Sequence, residues 1–254
     1  MNNERRKIIK DLLYSKPFVS LKELTDLFPE VSSMTIRRDI DFFESQGEAI
    51  KVRGGARSMK FITTSMDENF SSRLHKNKPA KEILARKAID MLETGRSIFL
   101  DSGTTMMMMA NLLPDKRLTI TTTGPNIAME LINKKQTLVN LVGGMLNRDN
   151  ISVNGTQSLR FLNDINIDIA FIVPSGVSAK TGLTCGNYSD CELKKMVVEK
   201  ARRIVVLLDT AKLDKSLPYT FCNIEDVYSI IANGPLPEDI IRVAEKSGTQ
   251  IIYA

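Results

Sequence analysis

The apolar positions near the N-terminus recur at helical spacing in a charged background and predict three short helices. They are Ile8, Ile9, Leu12 and Leu13 in the first helix, Leu21, Leu24, Leu27 and Phe28 in the second, and Ile36, Ile40 and Phe43 in the third. Pro17 and Pro29 separate the helices, since proline is poorly tolerated beyond a first turn. Ile50 and Val52 then alternate with charged residues before Gly54, which predicts a β-hairpin. Three short helices followed by a hairpin are the outline of a winged helix-turn-helix.

The pattern changes in the second part of the chain. Polar residues dominate from Ser65 to Lys81, so we interpret residues 61–80 as a linker between a head at 1–60 and a second domain at 81–254. In the second domain short apolar runs are predicted as strands at 97–100, 118–122, 138–142, 169–173, 204–208, 227–232 and 251–253. Helices are predicted at 83–92, 105–113, 127–132 and 191–201. This alternation is typical of a Rossmann-like α/β domain with a mostly parallel sheet.

Composition excludes several classes of protein. The chain has 254 residues, 43% of them hydrophobic and 26% charged, which is near the globular average and excludes disordered and fibrous classes. The charged N-terminus is not a signal peptide, and the apolar runs are too short to span a bilayer. Cys185, Cys191 and Cys222 are an odd number without CxxC spacing, so neither a disulfide framework nor a zinc site is expected. His75 is the only histidine, which excludes a histidine-based triad or metal cluster. We expect a cytoplasmic protein without a membrane partner, metal or cofactor.

The third helix has the arrangement of a recognition helix. With its apolar side turned to the core, its open face carries Met34, Arg38, Asp41 and Ser45, flanked by Thr35 and Arg37. Arginine can bond bidentately to guanine, and hydroxyl or amide groups near the N-terminus, at Ser33 and Thr35, can fix the register on phosphate. The alternative is a solvated helix face on which Arg37 and Arg38 merely pair with Asp41.

The predicted hairpin is the most basic stretch of the head. The formal net charge of the chain is +5, and the head contributes +3 of it, from 12 basic and 9 acidic residues. Lys51, Arg53, Arg57 and Lys60 lie in the hairpin with no acid between positions 51 and 60. A wing with these charges can follow the DNA backbone or enter the minor groove. The alternative is an ordinary exposed loop.

A Gly-Thr turn in the second domain is a candidate anion site. Asp101–Thr105 reads DSGTT, follows a buried strand and opens a helix. Gly103, Thr104 and Thr105 therefore present amide and hydroxyl groups at a helix N-terminus, at the carboxyl end of a strand. On these residues alone, a structural turn is the more common explanation.

These motifs together resemble one family. SSMTIRRDI at 32–40 and RGGA at 53–56 are similar to the DNA-binding domain of the DeoR-type bacterial repressors of sugar metabolism. The resemblance covers nearly the whole chain through IFLDSGTT (98–105), LVGGML (141–146), GLT (182–184), Lys194 and LLDTAKL (207–213). Arg53 stands where the family usually has histidine, and Thr123 stands where it commonly has asparagine.

The resemblance implies a sensor domain with a fold similar to ribose phosphate isomerase and a phosphorylated sugar as effector. The residues it places around the effector are Asp101, Gly103, Thr104, Thr105, Thr122, Thr123, Gly144, Lys194 and Lys212. Asp101 could instead stabilise its own turn, and either lysine could be a solvated charge.

We therefore expect a repressor of carbohydrate-metabolism genes that binds an operator in double-stranded DNA. A single winged head contacts one half-site, so a homo-oligomer, a dimer or a tetramer, is expected. One alternative is a sugar-phosphate isomerase-like enzyme fused to a DNA-binding head, with Asp101 or Asp209 as the central acid. Another is an assembly module that binds DNA without any ligand.

Overall fold

The computed structural model describes residues 2–16, 18–58 and 70–254. The chain divides into two compact units, residues 1–66 and 67–254.

The first unit is a three-helix head with a small antiparallel sheet. Its elements are α1 (Asn2–Ser15), β1 (Phe18–Ser20), α2 (Leu21–Leu27), α3 (Ser33–Ser45), β2 (Ala49–Val52) and β3 (Gly55–Ser58). The apolar stripes of the three helices meet in one core, in which Ile9, Leu24, Ile36 and Phe43 are buried. The strands pair in the order β1-β3-β2. The predicted helices and hairpin are therefore observed, and β1 is an addition because three residues are too few to show a strand period.

The two glycines of the wing have different roles. Gly54 lies in the turn between β2 and β3 with φ +91°, a conformation that favours glycine. Gly55 allows β3 to approach β1, because a Cβ at this position would lie 2.2 Å from the carbonyl oxygen of Val19. The RGGA segment thus makes the tight turn and the close approach that its sequence predicts.

The second unit begins with two helices, α4 (Phe70–His75) and α5 (Lys78–Ile89). Both overlap the predicted linker 61–80. Residues 70–80 are part of this unit, whereas residues 61–69 lie outside the described residues.

The remaining elements alternate between helices and strands. They are β4 (Ser97–Leu100), α6 (Thr104–Leu112), β5 (Leu118–Thr122), α7 (Pro125–Leu131), β6 (Thr137–Leu141), β7 (Met145–Asn147), β8 (Ser152–Asn154), α8 (Thr156–Asn163), β9 (Ile167–Ile172), β10 (Gly176–Ser178), β11 (Gly182–Cys185), α9 (Tyr188–Lys200), β12 (Ala201–Leu208), β13 (Tyr219–Cys222), β14 (Ser229–Ala232), α10 (Glu238–Ser247) and β15 (Gln250–Tyr253).

A parallel sheet forms the centre of this unit. Within the described chain it has seven strands in the order β15-β14-β12-β9-β4-β5-β6, all parallel. One core fills the space between the sheet and α5, α6 and α7, and another fills the space between the sheet and α8, α9 and α10. Met106 and Met109 are buried in the first of these cores. The predicted α/β architecture with a mostly parallel sheet is confirmed.

The strand order reverses direction at one place. From β4 the chain continues outward through β5 and β6, and it then returns to build β9, β12, β14 and β15 on the other side. The carboxyl ends of β4 and β9 therefore flank a topological switch point, where α/β sheets bind ligands.

Candidate nucleic-acid interface and anion pocket

Ser32 begins the third helix of the head. Its hydroxyl accepts a hydrogen bond from the backbone N–H of Thr35 at 3.3 Å and lies 3.1 Å from the Thr35 hydroxyl. This is an N-cap that satisfies one of the free amides of the first turn. The Ser33 side chain is exposed beside it, and Thr35 is half-buried.

Both arginines of α3 are exposed. Asp41, the partner that a purely solvated face would give them, forms its ion pair with Lys51. Among the described residues, the ion pairs to α3 are those of Asp41 and of Asp39, and neither involves Arg37 or Arg38. The guanidinium groups therefore extend from the helix without an internal counter-ion.

Asp39 holds the recognition helix against α1. It is only 2% exposed, and its two carboxylate oxygens accept from Nε of Arg5 at 2.6 Å and Nε of Arg6 at 2.8 Å. The Arg6 guanidinium also stacks 3.9 Å from the Phe42 ring centre. The sequence interpretation missed this role, although Asp39 precedes Ile40 on the core-facing side of the helix, where an unpaired carboxylate would be unstable.

The wing is attached to the same helix. The Lys51 ammonium pairs with Asp41, and its backbone N–H donates to Glu44 at 2.8 Å. Arg53, in the turn, and Arg57, on β3, are exposed. Lys60 lies outside the described residues. Lys51 therefore has a structural partner as well as the predicted role in binding phosphate.

A cavity of about 220 Å³ opens at the switch point of the second unit. Segments that follow the carboxyl ends of β4, β9 and β12 line it, together with α4, the start of α5 and the start of α9. Its lining residues are Arg73, Lys76, Asn77, Lys81, Ser102, Gly103, Thr104, Thr105, Asn150, Val173, Pro174, Ser175, Cys185, Asp190, Lys194, Asp209, Ala211, Lys212 and Lys215.

Five of the predicted effector residues line this pocket, namely Gly103, Thr104, Thr105, Lys194 and Lys212. Gly103 has φ +112° and immediately precedes α6, so the first turn of that helix faces the cavity. The first N–H groups of a helix have no acceptor within the helix and carry its positive dipole end. This part of the pocket is built to face a negative charge.

The other four predicted residues lie elsewhere. Asp101 and Thr123 border a much smaller cavity behind Lys194. The buried Thr122 hydroxyl accepts from the backbone N–H of Gly124 at 3.1 Å, which stabilises the turn after β5. Gly144 is packed so closely that a Cβ would lie 2.5 Å from both the Asn154 carbonyl oxygen and the Ser158 hydroxyl.

Asp101 and Lys194 form a buried ion pair at the switch point. The Lys194 ammonium donates to Asp101 and, at 2.9 Å, to the carbonyl oxygen of Val173. Asp101 also accepts from the backbone N–H groups of Ser102 at 2.9 Å and Val173 at 3.1 Å. Burial lowers the pKa of Lys194, but the charge and hydrogen bond of Asp101, together with the charges of Cys185 and Asp190, outweigh burial and raise the pKa above its usual value. Lys194 therefore stays positively charged at neutral pH.

The pocket contains more positive charge than the sequence interpretation expected. Six basic side chains line it against two acidic ones, Asp190 and Asp209. The basic residues are Arg73, Lys76, Lys81, Lys194, Lys212 and Lys215. The first three come from a polar segment that predicts a linker, and no local motif signals their convergence. The excess of positive charge favours an anionic ligand.

Both acidic side chains of the pocket are engaged. Asp190 accepts from the amides of Asn150 and Asn154 and from the Ser152 hydroxyl, so the β7–β8 hairpin is tied to the first turn of α9. Asp209 accepts from the Asn77 amide at 3.0 Å. The pocket therefore also contains carboxylate and amide groups.

Comparison with known proteins agrees with this arrangement. A model of the DeoR-like helix-turn-helix domain matches residues 5–61, and a model of the DeoR C terminal sensor domain matches residues 76–234. The chain belongs to the DeoR family. The prediction of a DNA-binding transcriptional regulator with a separate sensor domain is thereby confirmed.

Several regulators resemble this DeoR-family chain along nearly its full length. It is 28% identical over 251 residues to the putative aga operon transcriptional repressor of Escherichia coli O157:H7, covering 98% of this chain and 93% of that protein. It is 28% identical to the HTH-type transcriptional regulator GlpR of Haloferax volcanii, covering 98% of this chain and 96% of the relative. It is 27% identical to the glycerol-3-phosphate regulon repressor of Escherichia coli K12, covering 94% of each chain. These relatives are named as regulators and not as enzymes.

Among solved structures, ribose 5-phosphate isomerase A from Methanocaldococcus jannaschii overlaps with 56% of this chain and 57% of its own, at 23% identity and a TM-score of 0.42. In the described part of the DeoR-family chain, no helix is both long and apolar enough to cross a membrane. No cluster of three potential metal ligands occurs among the same residues.

Proposed function

We propose that this protein is a repressor of carbohydrate-metabolism genes whose binding to its operator, in the cytoplasm, is modulated by a phosphorylated sugar or sugar derivative. The observation that carries this proposal is the pocket at the switch point, which six basic side chains line together with the first turn of α6. A helix N-terminus flanked by cations is suited to a phosphate group. The names of the aga operon and glycerol-3-phosphate regulon repressors support a carbohydrate-related ligand.

Different residues of the pocket suit the phosphate group and the sugar hydroxyls of such a ligand. The amides of Gly103, Thr104 and Thr105 and the ammonium of Lys212 are proposed to hold the phosphate. Asn77 and Asn150 also line the pocket, bonded to Asp209 and Asp190, and these amide and carboxylate groups are proposed to bond to sugar hydroxyls. Lys194 and Asp101 are proposed to position Val173 and Ser102 at the base of the pocket, while Thr122, Thr123 and Gly144 shape the turns behind it.

The effector proposal is tested by the affinity of the full chain for its operator, selected first from genomic DNA. Ribose 5-phosphate, glycerol 3-phosphate and hexose phosphates are titrated, and the same compounds without phosphate are the matched controls. We expect one phosphorylated compound to change operator affinity by about tenfold or more, within the range of typical allosteric couplings. A panel without any effect would reject regulation by a phosphorylated sugar and favour constitutive DNA binding.

The DNA-binding face is proposed to combine the exposed side of α3 with the wing. Arg37 and Arg38 are exposed, form no ion pair within the described residues, and are the proposed groove contacts, with Thr35 and Ser33 near the N-terminus of the helix. Lys51, Arg53 and Arg57 are proposed to follow the phosphate backbone.

Replacing Arg38 by alanine is expected to weaken binding to the selected operator by about 1–3 kcal/mol and to relax the preference for one base position. Arg57→Ala is the matched control, because a phosphate contact should weaken all sequences about equally and reduce the salt dependence of binding. Both are measured by fluorescence anisotropy on operator and scrambled DNA. If Arg38→Ala affects both DNAs equally, Arg38 contacts phosphate and not a base.

A homo-oligomer, either a dimer or a tetramer, is proposed because one head contacts only one half-site. Large apolar side chains are exposed on α7 and directly after it, on β6, which is the edge strand of the sheet, and on β7. They are Met129, Ile132, Leu138, Leu141, Met145 and Leu146. We propose that a second copy of this chain covers them, since an exposed edge strand beside an apolar patch favours association with another protein chain. Light scattering on the full chain distinguishes a dimer from a tetramer and rejects the assembly if only monomer is found.

A further inference from the structure

Arg73 on α4 has a guanidinium group whose hydrogen bonds are incomplete. Its Nε and Nη2 atoms are inaccessible to solvent and have no hydrogen-bond partner among the described residues. A buried donor without an acceptor is unfavourable, and a charged donor is more so. A shift of the side chain toward the adjoining pocket would give these donors access to an acceptor there.

The surroundings of this guanidinium indicate what kind of acceptor fits. Arg73 lines the pocket at the switch point, and its Nη1 atom would lie 3.9 Å from a Cβ built on Gly103. The guanidinium is thus next to the residue that opens α6. Backbone N–H groups and a guanidinium offer donors only, so their common partner must be an acceptor with several oxygens, such as a phosphate or carboxylate.

The acidic side chains of the pocket do not fill this role. Asp190 accepts from Asn150, Ser152 and Asn154, and Asp209 accepts from Asn77 and from its own turn. Lys81, which also lines the pocket, is itself a cation and donates to the carbonyl oxygen of Arg73. The two carboxylates of the pocket are therefore bonded to other residues, and neither accepts a hydrogen bond from Arg73.

The helix that carries Arg73 depends on tertiary contacts. α4 has only six residues, and an isolated helix of this length is not stable in water. It is held by the buried side chain of Phe70, by the bond from the Phe70 N–H to the Asp149 carbonyl at 2.6 Å, and by Lys81 at its carboxyl end. Along the chain, α4 is the first described element after residues 59–69, which lead from the DNA-binding head.

We propose that Arg73 binds the oxyanion of the effector and that this contact fixes α4, so that occupancy of the pocket is transmitted to the segment leading to the head. This inference rests on the proposed function. It adds Arg73 to the residues that bind the effector and α4 as the element that transmits binding toward the head. Arg73 lies before residue 76, where the match to the sensor-domain model begins. An anion bound there, reached by a shift of the guanidinium, adds a charge-assisted contact between α4 and the first turn of α6.

The test uses the full chain with inorganic phosphate and glycerol 3-phosphate as probes, measured by isothermal titration calorimetry. Arg73→Gln is expected to weaken the binding of both probes by about tenfold or more, because it removes a charge-assisted, two-pronged contact. Arg73→Lys retains the charge but not the fork and should give a smaller loss. Arg86→Gln is the matched control, because Arg86 is exposed on α5, is paired with Glu82 and does not line the pocket.

Hydrogen exchange of residues 70–77 measures the second half of the proposal. Phosphate should slow exchange in α4 by about tenfold in the native chain and in Arg86→Gln, but not in Arg73→Gln. Equal anion affinities for the native chain and Arg73→Gln would reject the assignment of Arg73 and leave the proposed function intact. Absence of binding of either probe to the native chain would reject the anion site at Arg73, whereas the operator titration with the whole panel of sugar phosphates decides the proposed function. Binding that leaves exchange in α4 unchanged would reject the route through α4, and this readout does not depend on how well a variant folds.

Discussion

Substituting Asp39 by alanine is expected to destabilise the DNA-binding head by about 3 kcal/mol and to abolish operator binding, although Asp39 is buried inside the head. The carboxylate is 2% exposed and is shared between Arg5, 11% exposed, and Arg6, 28% exposed. Removing one member of a buried ion pair typically costs about 3–5 kcal/mol, because the remaining charge is left without a partner. We expect the lower end of this range since Arg6 can turn toward water.

Hydrogen exchange in α1 and α3 of the full chain measures this effect directly, because local unfolding of the head exposes those amides. Asp41→Ala is the matched control on the same helix. Its carboxylate is 50% exposed and pairs with an equally accessible lysine, so its loss should change stability by less than about 1 kcal/mol. If the two variants behave alike, the pairing of Asp39 does not hold α3 in place and its exposed arginines are positioned by apolar packing alone.

The head could be predicted well because its signals are local. The stripe of Ile36, Ile40 and Phe43 identifies both the helix and its buried side, and Arg38 is then exposed by geometry. Two details were not predictable in this way. β1 has three residues and exists because Gly55 lets β3 approach it. Asp39 has a charged side chain, which predicts exposure. It is buried because Arg5 and Arg6 of α1 pair with it.

The sensor domain shows the limit of local patterns. The seven parallel strands were all predicted, except for shifts at their ends, because buried parallel strands are continuous apolar runs. The short antiparallel strands β7, β8, β10, β11 and β13 were not, since three or four residues show no reliable period. Helices α8 and α10 were also absent from the prediction, although both have apolar residues at helical spacing.

The anion pocket was predictable only in part. The DSGTT turn carries its own signal, because a glycine and two threonines follow a strand and open a helix. Arg73, Lys76 and Lys81 carry none, since a basic residue in a polar segment usually remains solvated. They reach the pocket because α4 and α5 place them at the carboxyl edge of a sheet whose strands come later in the chain.

The second large effect is expected from Lys194→Met in the sensor domain. This substitution keeps the length and apolar packing of the side chain but leaves the Asp101 carboxylate buried without its counter-ion. We expect a loss of about 3–5 kcal/mol in the stability of this domain, moderated by the two backbone N–H groups that Asp101 still accepts from. Thermal unfolding of the full chain, followed by calorimetry, measures the loss.

The double variant Asp101→Asn with Lys194→Met removes both charges and separates the ion pair from packing. If the cost of the single change arises from an unpaired buried carboxylate, the double variant should be more stable than Lys194→Met alone. Additive losses would show instead that Lys194 acts through its contacts with Val173 and its neighbours.

The pH dependence of the native chain gives an independent check on the same pair. Burial lowers the folded-state pKa of Lys194, but the charge and hydrogen bond of Asp101, with smaller contributions from other neighbours, raise it above the usual value of 10.5. A group whose pKa is raised on folding contributes its full stabilisation below the unfolded value and loses it as the pH rises through the folded value. The native chain should therefore lose stability above about pH 10.5 through this pair, and Lys194→Met should not show that component. An alkaline loss of the same size in both chains would assign it to other groups and would remove the evidence that Lys194 is held as an ammonium at the base of the pocket.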